Sequence, residues 1–407
     1  MNIVIITPQF PYPLTSGGAQ AQFNMIDELR IRHHITLIHP QRESTTSRDI
    51  ALLKEKWPEV DMHIYPYWKQ ILFPSFFLSK LVRWFNIHFR ASSRQFQVER
   101  ILKPYGIPAN IHFFQFVNHI IKEKQADVVQ IEFYPLLFLV NHLKTDAKKV
   151  FIHHELRFVR NARLLSSYQL SDVEADLSQK IKQQEIEDLN QYDTVITLTD
   201  IDKETLRREG VSSSIAVSPA AVNSPFKTYA GWQQRIVFLG GYGHSPNVEG
   251  LQWFFESVLP TINWSEYPEV EFHIVGKGWN SSVIPQMPKN LRVVFRGFVE
   301  NIEDAIAGSI MIIPILSGSG MRMKILEAAS LGVPFLTTTV GVEGLVFRHN
   351  DSCLIEDSPE GWKSALLRLM DDEQLRIHLT TNASVLYQNK YSVTALAKIR
   401  ESLITQS

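Results

Sequence analysis

The sequence lacks the features that mark several specialised classes of protein. Its single cysteine, Cys353, among 407 residues excludes an intramolecular disulfide and a multi-cysteine metal site, and it fits a reducing compartment. A formal net charge of -1 gives no overall attraction to nucleic acid. The apolar run Asn2–Thr7 is too short for a signal peptide, and no uninterrupted apolar run approaches the length that crosses a bilayer. We therefore expect a cytoplasmic protein without a nucleic-acid partner.

One segment lacks acidic residues altogether. Residues 66–98 contain no Asp or Glu and are rich in Phe and Trp. Their basic residues are Lys69, Lys80, Arg83, Arg90 and Arg94. Aromatic and basic side chains both favour the membrane interface, so the segment predicts a surface for a lipid-linked acceptor or peripheral contact with an anionic membrane. A helical hairpin packed on its own domain is the alternative, and the composition leaves both open.

What is present is a regular alternation of short β-branched runs with amphipathic stretches, which is typical of parallel α/β sheets. Residues 223–234 interrupt it with Pro225 and Gly231 and predict a linker. We therefore predict an α/β protein with two Rossmann-like domains facing a cleft, at 1–222 and 235–390, with 66–98 an insertion in the first. The predicted strands are Asn2–Thr7, Ile35–Ile38, Val128–Ile131, Val150–His153, Thr194–Leu198, Ile215–Val217, Arg235–Leu239, Glu271–Val275, Leu291–Phe295, Ile310–Ile313 and Pro334–Thr338.

A glycine-rich turn carries the strongest functional signal. Ser317-Gly318-Ser319-Gly320 follows a predicted strand, and a helix is predicted to begin at about Met321. Small residues let backbone N–H groups approach an anion, and a helix start adds partial positive charge. Arg322 and Lys324 in the first turn would oppose the helix dipole, which a bound diphosphate would explain. A plain strand–turn–helix with a solvated surface is the alternative on spacing alone.

The sequence Glu327-Ala-Ala-Ser-Leu-Gly-Val-Pro334 resembles the donor-site signature of retaining GT-B glycosyltransferases of family four. Those enzymes carry two glutamates that flank seven residues, and Ser319 stands at the first position here. A sub-group with Gly-x-Arg-x-Lys-x-x-Glu is similar to residues 320–327. The resemblance implies that Glu327 binds the ribose of the donor nucleotide. It also implies that the donor sugar meets Ser319 or the backbone of Gly318, Gly320 and Met321, beside Ser317.

Two further segments are similar to the C-terminal domain of that sub-group. Gly240 and Gly241 follow its opening strand and permit close approach to phosphate or sugar. His244 stands near the place where many relatives carry cations, and it either meets the donor or caps a turn. The element Gly297-Phe298-Val299 resembles the one that packs against the nucleobase, so Phe298 and Val299 line the base pocket or belong to an ordinary core.

Resemblances in the first domain are shorter. Gly17 and Gly18 are similar to a Gly-Gly loop that passes close to the donor sugar and phosphate. His153-His154-Glu155-Leu156 is similar to a His-Asp-Leu element, which implies that His154 lies beside the reacting sugar; ordinary hydrogen-bonded structure is the alternative. Glu132 is predicted to face the cleft or to pair with Arg157 or Arg160. By the same resemblance, residues 391–407 form a helix that crosses back to the first domain.

Together these motifs predict a glycosyltransferase that moves a sugar from a nucleotide sugar to a glycan or lipid-linked acceptor, with retention implied by the resemblance. No acidic pair with metal-ligand spacing is evident in the sequence, so Arg322 and Lys324 are predicted to replace a metal and no cofactor is expected. His154, Arg322 and Lys324 form the predicted catalytic set. Because Ser319 replaces a glutamate, a catalytically inactive scaffold that binds nucleotide sugars remains an alternative, as does a GT-B epimerase.

Overall fold

The computed structural model describes residues 1–14, 17–42, 44–66, 93–103, 111–220, 222, 226–284, 289–318 and 321–405. The chain divides into two compact units. Met1–Ala221 together with Leu396–Ser407 form unit 1, and Val222–Ala395 form unit 2. Most of the aromatic and basic segment 66–98 lies outside the described residues, as do Ser319 and Gly320.

Unit 1 is built on a parallel sheet that contains seven strands among the described residues. Their order is β3-β2-β1-β4-β5-β6-β7. The strands are Asn2–Ile6 (β1), His34–Pro40 (β2), Asp61–Tyr65 (β3), Val128–Glu132 (β4), Lys148–His153 (β5), Thr194–Thr197 (β6) and Ser214–Val217 (β7). The helices are Gly17–Leu29 (α1), Ser47–Lys56 (α2), Arg94–Ile101 (α3), Ile111–Glu123 (α4), Arg157–Leu165 (α5), Asp172–Leu189 (α6) and Asp200–Arg208 (α7), with a 3₁₀ segment at Tyr134–His142.

Unit 2 repeats this arrangement with six described strands, ordered β10-β9-β8-β11-β12-β13 and all parallel. The strands are Arg235–Leu239 (β8), Glu271–Val275 (β9), Arg292–Gly297 (β10), Ser309–Ile313 (β11), Phe335–Thr337 (β12) and Leu354–Ile355 (β13). The helices are Ser245–Trp253 (α8), Ile302–Ile306 (α9), Met323–Ser330 (α10), Thr339–Val342 (α11), Pro359–Asp371 (α12) and Glu373–Lys390 (α13). A π-helical turn at Phe254–Val258 and 3₁₀ turns at Leu259–Thr261 and Trp264–Glu266 follow α8, and the chain ends in Val393–Thr405 (α14).

The strand runs form the two cores because they are buried on both faces of each sheet. Val4, Val129 and Phe151 are fully or almost fully buried in the sheet of unit 1, and Phe238 and Phe272 are fully buried in that of unit 2. The predicted α/β architecture with two parallel sheets is confirmed. The prediction missed β3 and β13, a half-buried edge strand and a two-residue strand that carry no long apolar run. Among the described residues, no helix has the length and apolar character needed to cross a membrane.

The strand order places a switch point in each unit. In unit 1, β1 pairs with both β2 and β4, and in unit 2, β8 pairs with both β9 and β11. The crossovers run in opposite directions from the central strand, so a crevice forms beyond the carboxyl ends of β1 and β4, and of β8 and β11. Ligands of doubly wound sheets bind at such crevices.

Candidate active site

The loops after β8 and β11 meet tightly at the switch point of unit 2. A Cβ atom on Gly250, within α8, would lie 1.7 Å from the carbonyl oxygen of Pro314, so α8 rests directly on the end of β11. A Cβ atom on Gly240 would lie 2.5 Å from Nδ2 of Asn247. Both positions therefore need glycine, and the side chain of Asn247 fills the space inside the Gly240 turn.

Asn247 connects the two loops. Its Nδ2 donates to the carbonyl oxygen of Gly241 at 3.0 Å, and its Oδ1 accepts from Nζ of Lys324 at 2.8 Å. Only 6% of Asn247 is exposed. The ammonium of Lys324 also lies 5.1 Å from the ring centre of Phe238. A buried amide therefore holds the predicted phosphate-binding lysine beside Gly240 and Gly241.

The charge of Lys324 is destabilised in this position. Its side chain is partly accessible, but the ammonium end is enclosed by protein, and that end governs the titration. Burial and, to a smaller extent, the nearby Arg322 lower the pKa of Lys324 to about 7, while Glu327 opposes the shift. Lys324 would regain its charge on binding an anion, because an opposite charge within a few ångströms favours the ammonium form.

Arg322 lies just before α10 rather than inside it. The helix begins at Met323, so the predicted start at about Met321 was wrong, and Arg322 keeps a non-helical backbone with φ -90° and ψ 89°. A Cβ atom on Gly318 would lie 3.6 Å from Nη2 of Arg322 and 3.3 Å from Pro246. The guanidinium therefore lies over the Gly318 turn, close to the beginning of α8.

Other residues of the predicted donor site follow the same turn. Ser317 donates from Oγ to Oε2 of Glu249, and Met321 is half-buried. Glu327 is 4% exposed, lies in the second turn of α10, and is close enough to Lys324 to affect its pKa. Ribose binding by Glu327 stays a prediction, as do the roles of Ser319 and Gly320, which lie outside the described residues.

The predicted base-pocket residues lie after β10. Phe298 is 47% exposed, which rules out the alternative that it is an ordinary core residue, while Val299 is half-buried. Nζ of Lys277 lies 4.7 Å from the ring centre of Phe298. The exposed His244 is the N-cap residue of α8, and its side chain makes no capping hydrogen bond to that helix.

In unit 1 the structure brings two predicted residues together around a third that was not predicted. A Cβ atom on Gly18 would lie 3.0 Å from the ring of Phe133, and that ring stacks on His154 with centroids 3.9 Å apart and an interplanar angle of 7°. Phe133 has φ 64°, an unusual value that a non-glycine residue adopts only under constraint. Gly17 is the first residue of α1. The predicted Gly-Gly loop and His154 thus lie on one aromatic ring.

Glu132 binds His154 and neither of the arginines considered in the sequence. Its Oε2 lies 3.0 Å from Nε2 of His154. Arg157 donates instead to the carbonyl oxygen of Ile101, and Arg160 lies 3.4 Å from Glu155. The predicted ion pair of Glu132 with Arg157 or Arg160 was therefore wrong.

Sequence reasoning missed Asn247, Phe133 and Lys277 as parts of the site. Asn247 follows Pro246 at the beginning of α8. A small amide side chain so close to the glycine turn is the sequence feature that could have identified it as a site residue. Nothing local in the sequence shows that Phe133 covers His154. Among the described residues there is no group of three His, Cys, Asp or Glu side chains that would hold a metal ion. Independence from metal stays a prediction.

Comparison with known proteins was made on sequence and on structure. Residues 233–372 match the family described as glycosyl transferases group 1. The chain is 30% identical over 158 residues to N-acetyl-alpha-D-glucosaminyl L-malate synthase of Bacillus anthracis, a match of 37% of this chain and 40% of that enzyme. The match thus spans well under two thirds of this curated relative.

Two solved structures align with nearly all of this chain. TarM of S. aureus aligns with a TM-score of 0.69 at 13% identity over 100% of this chain and 99% of TarM. HepE of Anabaena, solved in complex with UDP-glucose, aligns with a TM-score of 0.66 at 13% identity over 99% of this chain and 100% of HepE. At this identity the likeness establishes the fold, which is the one these two proteins share.

Proposed function

We propose that the chain transfers a sugar from a nucleotide-sugar donor to a glycan or lipid-linked acceptor, because residues 233–372 match the family of glycosyl transferases group 1 and the chain has the two-sheet GT-B fold. The observation that carries this proposal is the convergence of Lys324, Asn247 and Gly241 at the switch point of unit 2. This crevice is where a doubly wound sheet binds a nucleotide.

The diphosphate of the donor is the ligand that fits the charge of this crevice. Two cations, Arg322 and Lys324, lie beside backbone turns at Gly240 and Gly318, and burial disfavours the charge of Lys324. Glycosyl transfer places growing negative charge on the leaving diphosphate, and preorganised cations stabilise that charge. We propose that these residues do so without a metal ion, that no further cofactor takes part, and that the reaction retains the anomeric configuration.

The remaining donor contacts follow from the resemblance. Glu327 binds the ribose, Phe298 and Val299 line the base, and His244, Ser317, Gly318 and Met321 border the phosphates and sugar. HepE supports this assignment, since it has been solved with UDP and glucose. TarM supports a glycan acceptor, since a mutant of it has been solved with Fondaparinux, alpha-GlcNAc-glycerol and UDP. In unit 1, His154 lies beside the reacting sugar, and Gly17 and Gly18 pass close to it.

We also propose peripheral contact with the inner face of the cytoplasmic membrane through residues 66–98. Support comes from composition alone, because the segment is aromatic and basic and has no acidic residue. The same composition suits a lipid-linked acceptor, whose anionic headgroup and apolar tail lie at the same interface.

A scaffold that binds nucleotide sugars without transferring them is the second candidate, and Ser319 in place of a glutamate favours it. Calorimetric titration with a panel of nucleotide sugars, followed by assays of donor hydrolysis and transfer, separates the two. Turnover of a donor that binds supports the enzyme. Tight binding without turnover of any donor supports the scaffold, and failure to bind any nucleotide contradicts both. An epimerase is recognised by a nucleotide-linked product with inverted configuration at a ring carbon.

The same assay tests metal independence. We expect turnover to survive EDTA, because Arg322 and Lys324 supply the positive charge that a metal would otherwise bring. A loss of turnover that manganese or magnesium restores would show that these two residues are not sufficient.

A further inference from the structure

The imidazole of His154 is held from behind by a buried carboxylate. Glu132, the last residue of β4, is 2% exposed, and its Oε2 lies 3.0 Å from Nε2 of His154. Its other oxygen accepts from Nε2 of Gln130 at 2.7 Å. Both oxygens of Glu132 are therefore engaged at the carboxyl edge of the sheet of unit 1.

A buried arginine from the C-terminal helix supplies the opposite charge. Arg400 on α14 is 3% exposed, and its guanidinium donates to Ser218, from Nε to Oγ at 3.0 Å and from Nη2 to the carbonyl oxygen at 3.3 Å. Burial lowers the pKa of Arg400 to about 10, and the negative charge of Glu132 acts against this shift. A buried cation is costly unless an anion lies near it. Among the described residues, Glu132 is the carboxylate whose charge acts on Arg400.

The chemistry of this arrangement fixes the proton on the imidazole. An ionised carboxylate only accepts hydrogen bonds, so Nε2 of His154 must donate to Glu132. In a neutral imidazole the other nitrogen, Nδ1, is then an acceptor. Phe133 stacked on one face of the ring holds its plane.

We propose that Glu132 is a positioning residue that holds His154 in the Nε2–H tautomer, so that Nδ1 accepts a hydrogen bond from a ligand hydroxyl. The charge of Arg400 acts on this carboxylate and supports the same arrangement. The effect on turnover rests on the proposed function, in which His154 lies beside a sugar, whereas the tautomer of His154 does not depend on it.

Long-range proton–nitrogen NMR correlation on ¹⁵N-histidine-labelled protein measures the tautomer directly, with His154→Gln identifying the signals of this ring. We expect the wild type to show a protonated Nε2 and an unprotonated Nδ1. Glu132→Gln and Arg400→Met should each give a mixture of tautomers, while Arg400→Lys should keep the wild-type pattern because it keeps the charge. Arg376→Met is the matched control, because Arg376 is a buried arginine of unit 2 that binds the carbonyl oxygens of Leu369 and Met370.

Steady-state kinetics test the consequence for turnover. Glu132→Gln and Arg400→Met should lower kcat by about tenfold with a smaller change in KM, and Arg400→Lys should restore most of it. A wild-type tautomer in Glu132→Gln would overturn the proposal. An altered tautomer with unchanged kcat would support the role of Glu132 in fixing the tautomer and contradict the catalytic role of His154. Should Arg400→Met fail to fold by circular dichroism, Glu132→Gln and Arg400→Lys carry the same test.

Discussion

At the scale of single residues, Lys324 combines two opposing requirements. Asn247 holds its ammonium beside the glycine turn, yet the surroundings disfavour the charge, and burial lowers the pKa of Lys324 to about 7. A lysine that is half neutral at pH 7 does not repel Arg322 strongly while the site is empty. Binding of a diphosphate would restore the charge when the ligand needs it.

A dependence of binding on pH follows. Above pH 7 the free protein loses the Lys324 proton, so binding a nucleoside diphosphate requires proton uptake, and its affinity should fall by up to about tenfold per pH unit between pH 7.5 and 9. Titration calorimetry in buffers of different ionisation enthalpy measures both the affinity and the number of protons taken up on binding. Lys324→Met should bind more weakly with little dependence on pH. An equal slope in both proteins would assign the proton to another group.

Arg322 should matter more for turnover than for binding of the nucleoside. Its guanidinium lies over the Gly318 turn, and a charge-assisted hydrogen bond to phosphate is worth roughly 1.5–3 kcal/mol. The diphosphate gains charge as the glycosidic bond breaks, so this contact should strengthen in the transition state. We expect Arg322→Ala to lower kcat by roughly 10- to 100-fold. Lys324→Ala should have a smaller effect, because an ammonium lacks the planar fork of arginine.

The matched control is Arg322→Lys, which keeps the charge and loses the bidentate geometry. Steady-state kinetics with circular dichroism on all three variants separate misfolding from lost catalysis. A folded Arg322→Ala protein with wild-type turnover would move the phosphate contact to the Gly240–His244 loop.

At the scale of elements, Glu185 of α6 fixes the helix that follows His154. Its Oε1 accepts from the backbone N–H of Arg157 and its Oε2 from that of Phe158, each at 3.0 Å, at the beginning of α5. It also lies 3.0 Å from Nε2 of His153, and both side chains are fully buried. The residue before α5, Leu156, provides no side-chain cap. A carboxylate distant in sequence therefore caps the N-terminus of α5.

Glu185→Gln should lower the free energy of unfolding by roughly 1–3 kcal/mol, because the new amide cannot accept from both N–H groups and leaves one buried donor unpaired. Glu187→Gln on the same helix is the control, since Glu187 is exposed and accepts a hydrogen bond from Gln183 at the surface. Urea unfolding of both variants measures the difference. Equal midpoints would show that Glu185 is not needed to hold α5.

The observed bounds of strands and helices show which elements the sequence patterns predicted correctly and which they missed. Strands with continuous burial, such as β4 and β11, were predicted within one residue of their bounds. The edge strand β3 is buried only at its last residue, Tyr65, and was missed. The start of α10 was placed two residues early, because the non-helical backbone of Arg322 is set by the turn it packs on and not by its own helix propensity.

At the scale of the whole molecule, the two units repeat one strand order around a central strand. Neither unit contains a described helix that would cross a membrane. Contact of residues 66–98 with lipid stays a proposal that rests on their composition.

Flotation with vesicles tests this contact. The wild type should float with vesicles that contain anionic lipid and remain behind with neutral ones, because basic residues near an anionic surface contribute about 1 kcal/mol each. Reversing the charge of Lys80, Arg83 and Arg90 should abolish flotation, whereas the same reversal at the exposed Lys54 and Lys56 of α2 should not. If the wild type stays with the unbound fraction, the segment serves another purpose.

The sequence by itself determined the α/β class, the division into two sheets and the turns that carry Gly240, Gly318 and His154. These features follow from burial patterns and turn residues that act over a few neighbours in the chain. Only the tertiary structure decided which side chains meet. Lys324 reaches Asn247 across 77 positions, and Arg400 reaches Ser218 across 182. Such contacts depend on the order of strands in each sheet, which no local sequence pattern specifies. In unit 2 this order places the ends of β8 and β11 side by side.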